Sequence, residues 1–327
     1  LSLDLRKAKP LPPQEREQRV LALTGGGVRG IFTASVLDNI EKKTARKVDE
    51  LFSVLAGTSI GGIVAIGLAV GVRPEKIRDS IRENAPVIFH KPVRDRILNP
   101  LNVFKAAYRQ EPLRAAIKSI LGEKADMTLQ NLNVPLVITA VEYNRAVEKI
   151  FVSKPLAASG EDLSVRLIDV ALATSAAPTY FPPHRIGDRV YVDGGLIANA
   201  PDLVAAQRCV ERLGVNVNDL YVMSVGTASG ALRGRPRITS PGRAGWLLRH
   251  RIFDITIEAQ AALSISQLST FLGDRFHRID KTPDERIDLD EIRCLHLAEL
   301  QSLGEEAVEE FCQKNATDWN RFFSPSK

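Results

Sequence analysis

Phe52-Ser53-Val54-Leu55-Ala56-Gly57-Thr58-Ser59-Ile60-Gly61-Gly62 passes from one apolar run, through a polar pair flanked by glycines, into another. Residues 52–56 have the length and composition of a buried strand, and residues 62–69 read as a buried helix. Between them Gly57-Thr58-Ser59-Ile60-Gly61 is a G-x-S-x-G. Such glycines allow a sharp, strained turn that lifts the serine hydroxyl out of the sheet and sets it at a helix N-terminus. A serine N-cap beside packing glycines is the plainer alternative. The strand–turn–helix context favours a nucleophile. Residues 51–72 carry no charge, and 22 residues is about the length of a bilayer crossing. Gly57, Gly61, Gly62, Gly67 and Gly71 interrupt that stretch, so a strand, a tight turn and a buried helix explain it better.

Upstream, residues 20–24 form another short apolar run, followed by Gly25-Gly26-Gly27-Val28-Arg29-Gly30 and then Ile31, Phe32, Val36, Leu37 and Ile40 at helical spacing. Downstream, residues 136–141, 150–153, 189–192 and 220–225 read as strands and 165–174 as a helix. Strands alternating with helices predict a three-layer α/β/α domain with a largely parallel central sheet. Residues 1–19 read as a polar, proline-rich arm, 20–206 as the core, and 207–327 as a strand and helices packed on the same domain. With 327 residues at 44% hydrophobic, the chain has the apolar content for a large core, which excludes disorder. Cys209, Cys294 and Cys312 are scattered, without metal spacing, as expected of reduced thiols in a cytosolic protein. Residues 1–13 lack the apolar region of a signal peptide.

The Gly25–Gly30 loop has three readings: a phosphate cradle, an oxyanion hole or a structural turn. Asp49, 19 residues after Gly30, stands near the spacing of a ribose-binding acid, so a nucleotide-binding module is a rival. A serine needs a base, yet none of the five histidines is well placed for one. His277 and His296 lie in charged, helical-looking sequence, and His184 follows Pro182-Pro183 in what reads as a surface loop. Tyr191-Val192-Asp193-Gly194-Gly195 instead puts a carboxylate at a strand end before two glycines. A plain Asp-Gly turn is the alternative there.

A glycine-rich loop, a serine elbow and an Asp-Gly-Gly, in that order, resemble the patatin-like lipid acyl hydrolases. Thr174-Ser175-Ala176-Ala177-Pro178-Thr179-Tyr180-Phe181-Pro182-Pro183 resembles that family's segment before its aspartate, and Asn199 and Pro201 follow Asp-Gly-Gly as they often do there. Thr24 departs from the aspartate common in plant members. The resemblance covers about residues 20–206. It implies the patatin-like fold and a Ser59–Asp193 dyad, with Ser59 attacking an ester carbonyl and Asp193 as general base. It also implies an oxyanion hole from the N–H groups of Gly25, Gly26 and Gly27. Arg29, Gly30, Gly57, Gly61, Gly194 and Gly195 support these motifs, with Arg29 steadying the loop or pairing with an anionic head group. No metal or cofactor is implied. A likeness to short bacterial phospholipases switched on by cyclic nucleotides in anti-phage signalling adds a cyclic dinucleotide activator as an expectation.

The net charge of +5 is too mild for a nucleic-acid binder, but it is not evenly spread. Residues 231–251 hold six arginines and no acid, which leaves 38 basic and 39 acidic side chains elsewhere. Trp246, Leu247, Leu248, Ile252 and Phe253 interleave with the last of those arginines. The segment suits an anionic lipid surface or an anionic ligand, or else it is a solvated loop leading into a packed helix. The expected partners are therefore a phospholipid membrane surface, an activating nucleotide and a second copy of the chain in a homo-oligomer. The expected site of action is cytoplasmic and peripheral to the membrane. A catalytically silent lipid-binding scaffold is the second rival.

Overall fold

The structure is a computed structural model that describes residues 17–91, 106–158, 162–230 and 252–323. The basic segment 231–251 and most of the N-terminal arm lie outside the described residues. An eight-stranded sheet forms the centre. Its strands are β1 (Gln18–Leu23), β2 (Val54–Gly57), β3 (Leu136–Glu142), β4 (Val147–Val152), β5 (His184–Ile186), β6 (Arg189–Asp193), β7 (Leu220–Val225) and β8 (Phe276–Ile279). The described helices are α1 (Gly30–Thr44), α2 (Val48–Leu51), α3 (Ile60–Ala69), α4 (Pro74–Ile88), α5 (Gln110–Leu121), α6 (Leu167–Thr174), α7 (Gly195–Ala198), α8 (Asp202–Leu213), α9 (Ile252–Leu272), α10 (Cys294–Lys314) and α11 (Ala316–Phe323).

β1 runs parallel to β2 and β7, β2 parallel to β3, and β7 parallel to β8. β4 and β6 pair antiparallel with β3, and β5 antiparallel with β6. Strands covered on both faces need apolar residues at every position, and Val20, Leu21, Ala22 and Leu23 of β1 are all fully buried. Alternation then divides the core. Leu21, Leu23, Leu55 and Ile138 join the cluster containing Ile31, Phe32 and Ile66 of α1 and α3. Val20, Ala22, Val54 and Ala56 join Ala205 and Cys209 of α8 and Leu268 and Leu272 of α9. These two clusters are the interfaces of a three-layer α/β/α fold.

One register detail positions the site. β2 pairs with residues 136–138 of β3, whereas β6 pairs with residues 140–142, placing Asp193 opposite Ala140. β4 already occupies the other edge of β3 from Val137 to Glu142. A strand has two edges, so β2 and β6 meet tip to tip along the same one. Asp193 therefore arrives just beyond the point where β2 ends in the Gly57–Gly61 elbow.

The uncharged stretch 51–72 is β2, the elbow and α3, and no described helix is long and apolar enough to cross a membrane. β1 begins at Gln18, two residues before the apolar run, because Gln18 still pairs with Leu220. β5 (His-Arg-Ile) and β8 (Phe-His-Arg-Ile) are three- and four-residue pieces with a polar centre, too short to carry a strand pattern. His277 accordingly sits on β8, against the rings of Phe311 and Phe322, and not in a helix.

Candidate active site

Ser59 stands between β2 and α3 with φ 54° and ψ −124°. This is a strained conformation for a residue with a side chain, and surrounding structure must impose it. The Ser59 N–H donates to Thr174 Oγ1 at 2.9 Å, and the Thr58 N–H to the Leu23 carbonyl at 3.2 Å. The Thr58 hydroxyl donates to the Ala198 carbonyl at 2.6 Å and lies 2.7 Å from Thr139 Oγ1. The elbow also needs its glycines: a Cβ on Gly61 would lie 2.3 Å from the Leu23 carbonyl oxygen.

Asp193 is 5% exposed, and its carboxylate lines the same cleft as Ser59, close enough for the Ser59 side chain to act on its pKa. The Gly195 N–H donates to Asp193 Oδ1 at 2.7 Å. Burial pushes the Asp193 pKa up to about 6, against the lowering effects of Ser59 and of the Gly195 N–H. It is thus a carboxylate ionised at neutral pH yet basic enough to accept a proton from an attacking hydroxyl.

The glycine loop corrects one expectation. The Gly25 N–H is not open to a substrate, because it donates to the Asn199 carbonyl at 3.0 Å. The Val28 N–H is also occupied, by the Leu289 carbonyl at 2.9 Å. The N–H groups of Gly26 and Gly27 have no such backbone acceptor among the described residues, and both glycines line the cavity. Asn199 Nδ2 donates to the Gly25 carbonyl at 3.4 Å, and Arg29 N and Nε donate to the Gly26 carbonyl at 3.2 and 3.3 Å. In a trans peptide the C=O and N–H point in opposite directions. Anchoring those carbonyls on Asn199 and Arg29 therefore aims the next two N–H groups, of Gly26 and Gly27, the other way. Gly27 holds φ +59°, and a Cβ there would lie 2.2 Å from the Leu289 carbonyl oxygen.

Arg29 is 2% exposed, donates Nη1 to the Ser229 carbonyl at 3.2 Å, and has Nη2 3.7 Å from Glu258. Of the two roles expected of it, steadying the loop is the one its contacts serve. Thr24, the departure from the plant pattern, accepts a hydrogen bond from Arg278 Nη1 at 3.1 Å. Gly30 lies against Ile60, and Gly194 against Thr139.

Ser59, Asp193 and the glycine loop line the head of a cleft of about 1230 Å³, open mouth included. Its walls are mostly apolar and come from α3 (Ile60, Ile63), α4 (Ile81, Ile88) and α5 (Leu113, Ile117, Ile120). Phe253 and Ile257 of α9, with Arg286 and Leu289, close it from the C-terminal third. The α4 and α5 contributions went unread in the sequence, although Ile77, Ile81 and Ile88, and Leu113, Ile117 and Ile120, carry helical spacing. Among the described residues no group of His, Cys, Asp or Glu is arranged to hold a metal.

Among the described residues no histidine lines this cleft. His184 proves buried and not a loop-surface residue: its ring lies 3.1 Å from Gln110 Oε1 and 3.2 Å from Asp169 Oδ1. His296, on α10, lies 2.9 Å from Glu291, which precedes that helix. Asp49 does not reach the glycine loop. It sits on α2 before β2, at the end of the sheet opposite the tips of β1 and β2. The ribose-binding rival fails on that placement.

The profile of the family described as patatin-like phospholipase matches residues 21–206. A "cGAMP-activated phospholipase" of Escherichia coli (strain TW11681) is 32% identical over 337 aligned residues, covering 94% of this chain and 94% of its own. A protein of the same description from Vibrio cholerae serotype O1 is 31% identical over 348, covering 94% and 96%. Among solved structures, VipD from Legionella pneumophila aligns over 92% of this chain and 68% of its own, with a TM-score of 0.49 and 12% identity. The family match encloses the glycine loop, Ser59 and Asp193 together, and the chain belongs to the patatin-like phospholipases.

Proposed function

We propose that this phospholipase hydrolyses acyl esters of membrane phospholipids through a Ser59–Asp193 dyad. The observation that carries this is Ser59, on its strained elbow, lining the same apolar cleft as the buried Asp193 carboxylate. Asp193 takes the hydroxyl proton as Ser59 Oγ attacks the ester carbonyl. The N–H groups of Gly26 and Gly27 accept the charge that develops on the carbonyl oxygen. As the tetrahedral intermediate collapses, Asp193 returns the proton to the departing lysolipid alcohol, leaving an acyl-serine. Water, deprotonated by the same carboxylate, then releases the fatty acid and restores both groups. The acyl chain lies along Ile63, Ile81, Ile88 and Ile117, where each buried methylene contributes about 0.8 kcal/mol. The test is fatty acid release from mixed phospholipid vesicles, together with labelling by a fluorophosphonate. Normal turnover in Ser59→Ala or Asp193→Ala overturns the dyad.

The same phospholipase is activated, in our reading, by a cyclic dinucleotide. Two relatives described as cGAMP-activated, each matched over 94% of this chain, support this. Release is measured with and without a panel of cyclic dinucleotides. Full activity in their absence, unchanged on adding them, overturns activation. The arginine-rich, Trp- and Leu-bearing sequence 231–251 supports peripheral docking on the cytoplasmic face of a membrane, and the three free cysteines suit a reducing compartment. Co-sedimentation with anionic but not neutral vesicles is the expected result.

A further inference from the structure

The two residues that aim the oxyanion loop, Asn199 and Arg29, are held by one helix outside the family match, Asn199 through its backbone N–H and Arg29 through its guanidinium. Gln260 Oε1 accepts the Asn199 N–H at 3.0 Å. The Glu258 carboxylate stands 3.7 Å from Arg29 Nη2, against a guanidinium only 3% exposed. Both residues belong to α9 (Ile252–Leu272), beyond residue 206, where the family match ends.

The helix is placed to do this. Asp254, Ala261, Ser264, Leu268 and Leu272 are its buried positions, successively seven, three, four and four residues apart, so they form one seam along its inner face. Glu258 and Gln260 are two residues apart and therefore flank that seam on opposite sides. Ser264 donates to the Ala200 carbonyl at 3.4 Å, fixing the helix beside the Asn199 turn. The Leu289 carbonyl holds the Val28 N–H from the same C-terminal third.

We infer that Gln260, with Glu258 beside it, is a positioning residue for ester hydrolysis, setting the oxyanion loop through Asn199 and Arg29. Asn199 is 5% exposed, so its N–H has little access to water once the Gln260 oxygen is removed. A buried donor left unpaired is costly, and the Asn199 turn shifts to relieve it. That turn holds Gly25 by two hydrogen bonds, so the Gly25–Gly26 peptide rotates with it and the Gly26 N–H leaves its aim. The effect falls on the transition state, where the oxyanion forms, and not on ground-state lipid binding.

This inference rests on the dyad and loop assignments proposed above, and the experiment separates the two. Hydrolysis by the full chain is measured with phospholipid in mixed micelles, with and without cyclic GMP–AMP. Rates are expressed per serine titrated by fluorophosphonate. Gln260→Ala should lower kcat on the order of ten- to a hundredfold with KM nearly unchanged, and weaken a trifluoromethyl ketone that mimics the oxyanion by a similar factor. Gln260→Glu, which keeps an acceptor oxygen, should restore most of the rate. Gln267→Ala, on the exposed face of the same helix, controls for helix stability. A kcat per titrated serine within about twofold of wild type in Gln260→Ala overturns the inference, as does an equal loss in Gln267→Ala. Undiminished hydrolysis in Ser59→Ala overturns the site assignment itself, and the inference with it.

Discussion

The two glycine-bearing turns at the strand tips are built in different ways. The elbow after β2 is locked by backbone: a Cβ on Gly57 would meet the Gly61 carbonyl oxygen at 2.3 Å, and one on Gly61 would meet that of Leu23 at the same distance. The loop after β1 is held by groups from far along the chain, namely Asn199, Thr227 and the Leu289 carbonyl. The elbow is crowded by the backbone of its own helix and of the adjacent β1, and Thr174, Thr139 and Ala198 hold its amide and hydroxyl groups, so it has little room to be retuned. A turn fixed by remote side chains can be retuned through them. The nucleophile belongs on the first kind, and the second gives the C-terminal third a hold on catalysis.

The largest test of this contrast removes the chemistry and leaves the elbow. Ser59→Ala should cut fatty acid release by about 10⁴-fold or more, with an unchanged thermal unfolding midpoint. Next, the elbow itself is broken. Gly61→Ala forces a side-chain carbon against backbone and should cost more than about 3 kcal/mol in denaturant unfolding, enough to deplete folded protein. Gly26→Ala meets the Thr227 side chain first and not backbone, so it should cost less stability than Gly61→Ala while also lowering kcat. Equal destabilisation by the two would erase the distinction. Asn199→Ala removes the amide from the Gly25 carbonyl but keeps its own backbone bonds, and should lower kcat about 30-fold with little change in KM.

The same contrast explains what could be read from the sequence. Gly57-Thr58-Ser59-Ile60-Gly61 gave strand, turn and helix because a local pattern specifies a locally determined shape. Asp193 was recognisable as a strand-end carboxylate before two glycines. Its arrival beside Ser59 depends on β6 abutting β2 along β3, which only pairing register reveals. Gly25 was taken for an oxyanion donor because Gly25, Gly26 and Gly27 are indistinguishable as letters. What separates them is the Asn199 carbonyl, 174 residues away. Gln260 and Glu258 gave no signal at all, since polar residues flanking a helix seam are the ordinary composition of a packed helix.

The smallest effect concerns the price of placing a charge at the elbow. With Asp193 raised to about 6, kcat/KM should fall as pH drops through 6 and be about tenfold below its plateau near pH 5, since only the ionised carboxylate accepts the serine proton. Stability should move the opposite way. A carboxylate whose folded pKa lies above its unfolded value of 3.8 binds more protons in the native state. Its contribution is fully present below pH 3.8 and is lost as pH rises through 6. At pH 8 the buried charge therefore costs on the order of 2–3 kcal/mol. Asp193→Asn, neutral at every pH and still able to accept the Gly195 N–H, should be more stable than wild type by about that much at pH 8. The gap should close by pH 4. Equal urea midpoints for the two proteins at pH 8 would mean that the carboxylate is not strained by its burial, and that the elbow holds its base without cost to the fold.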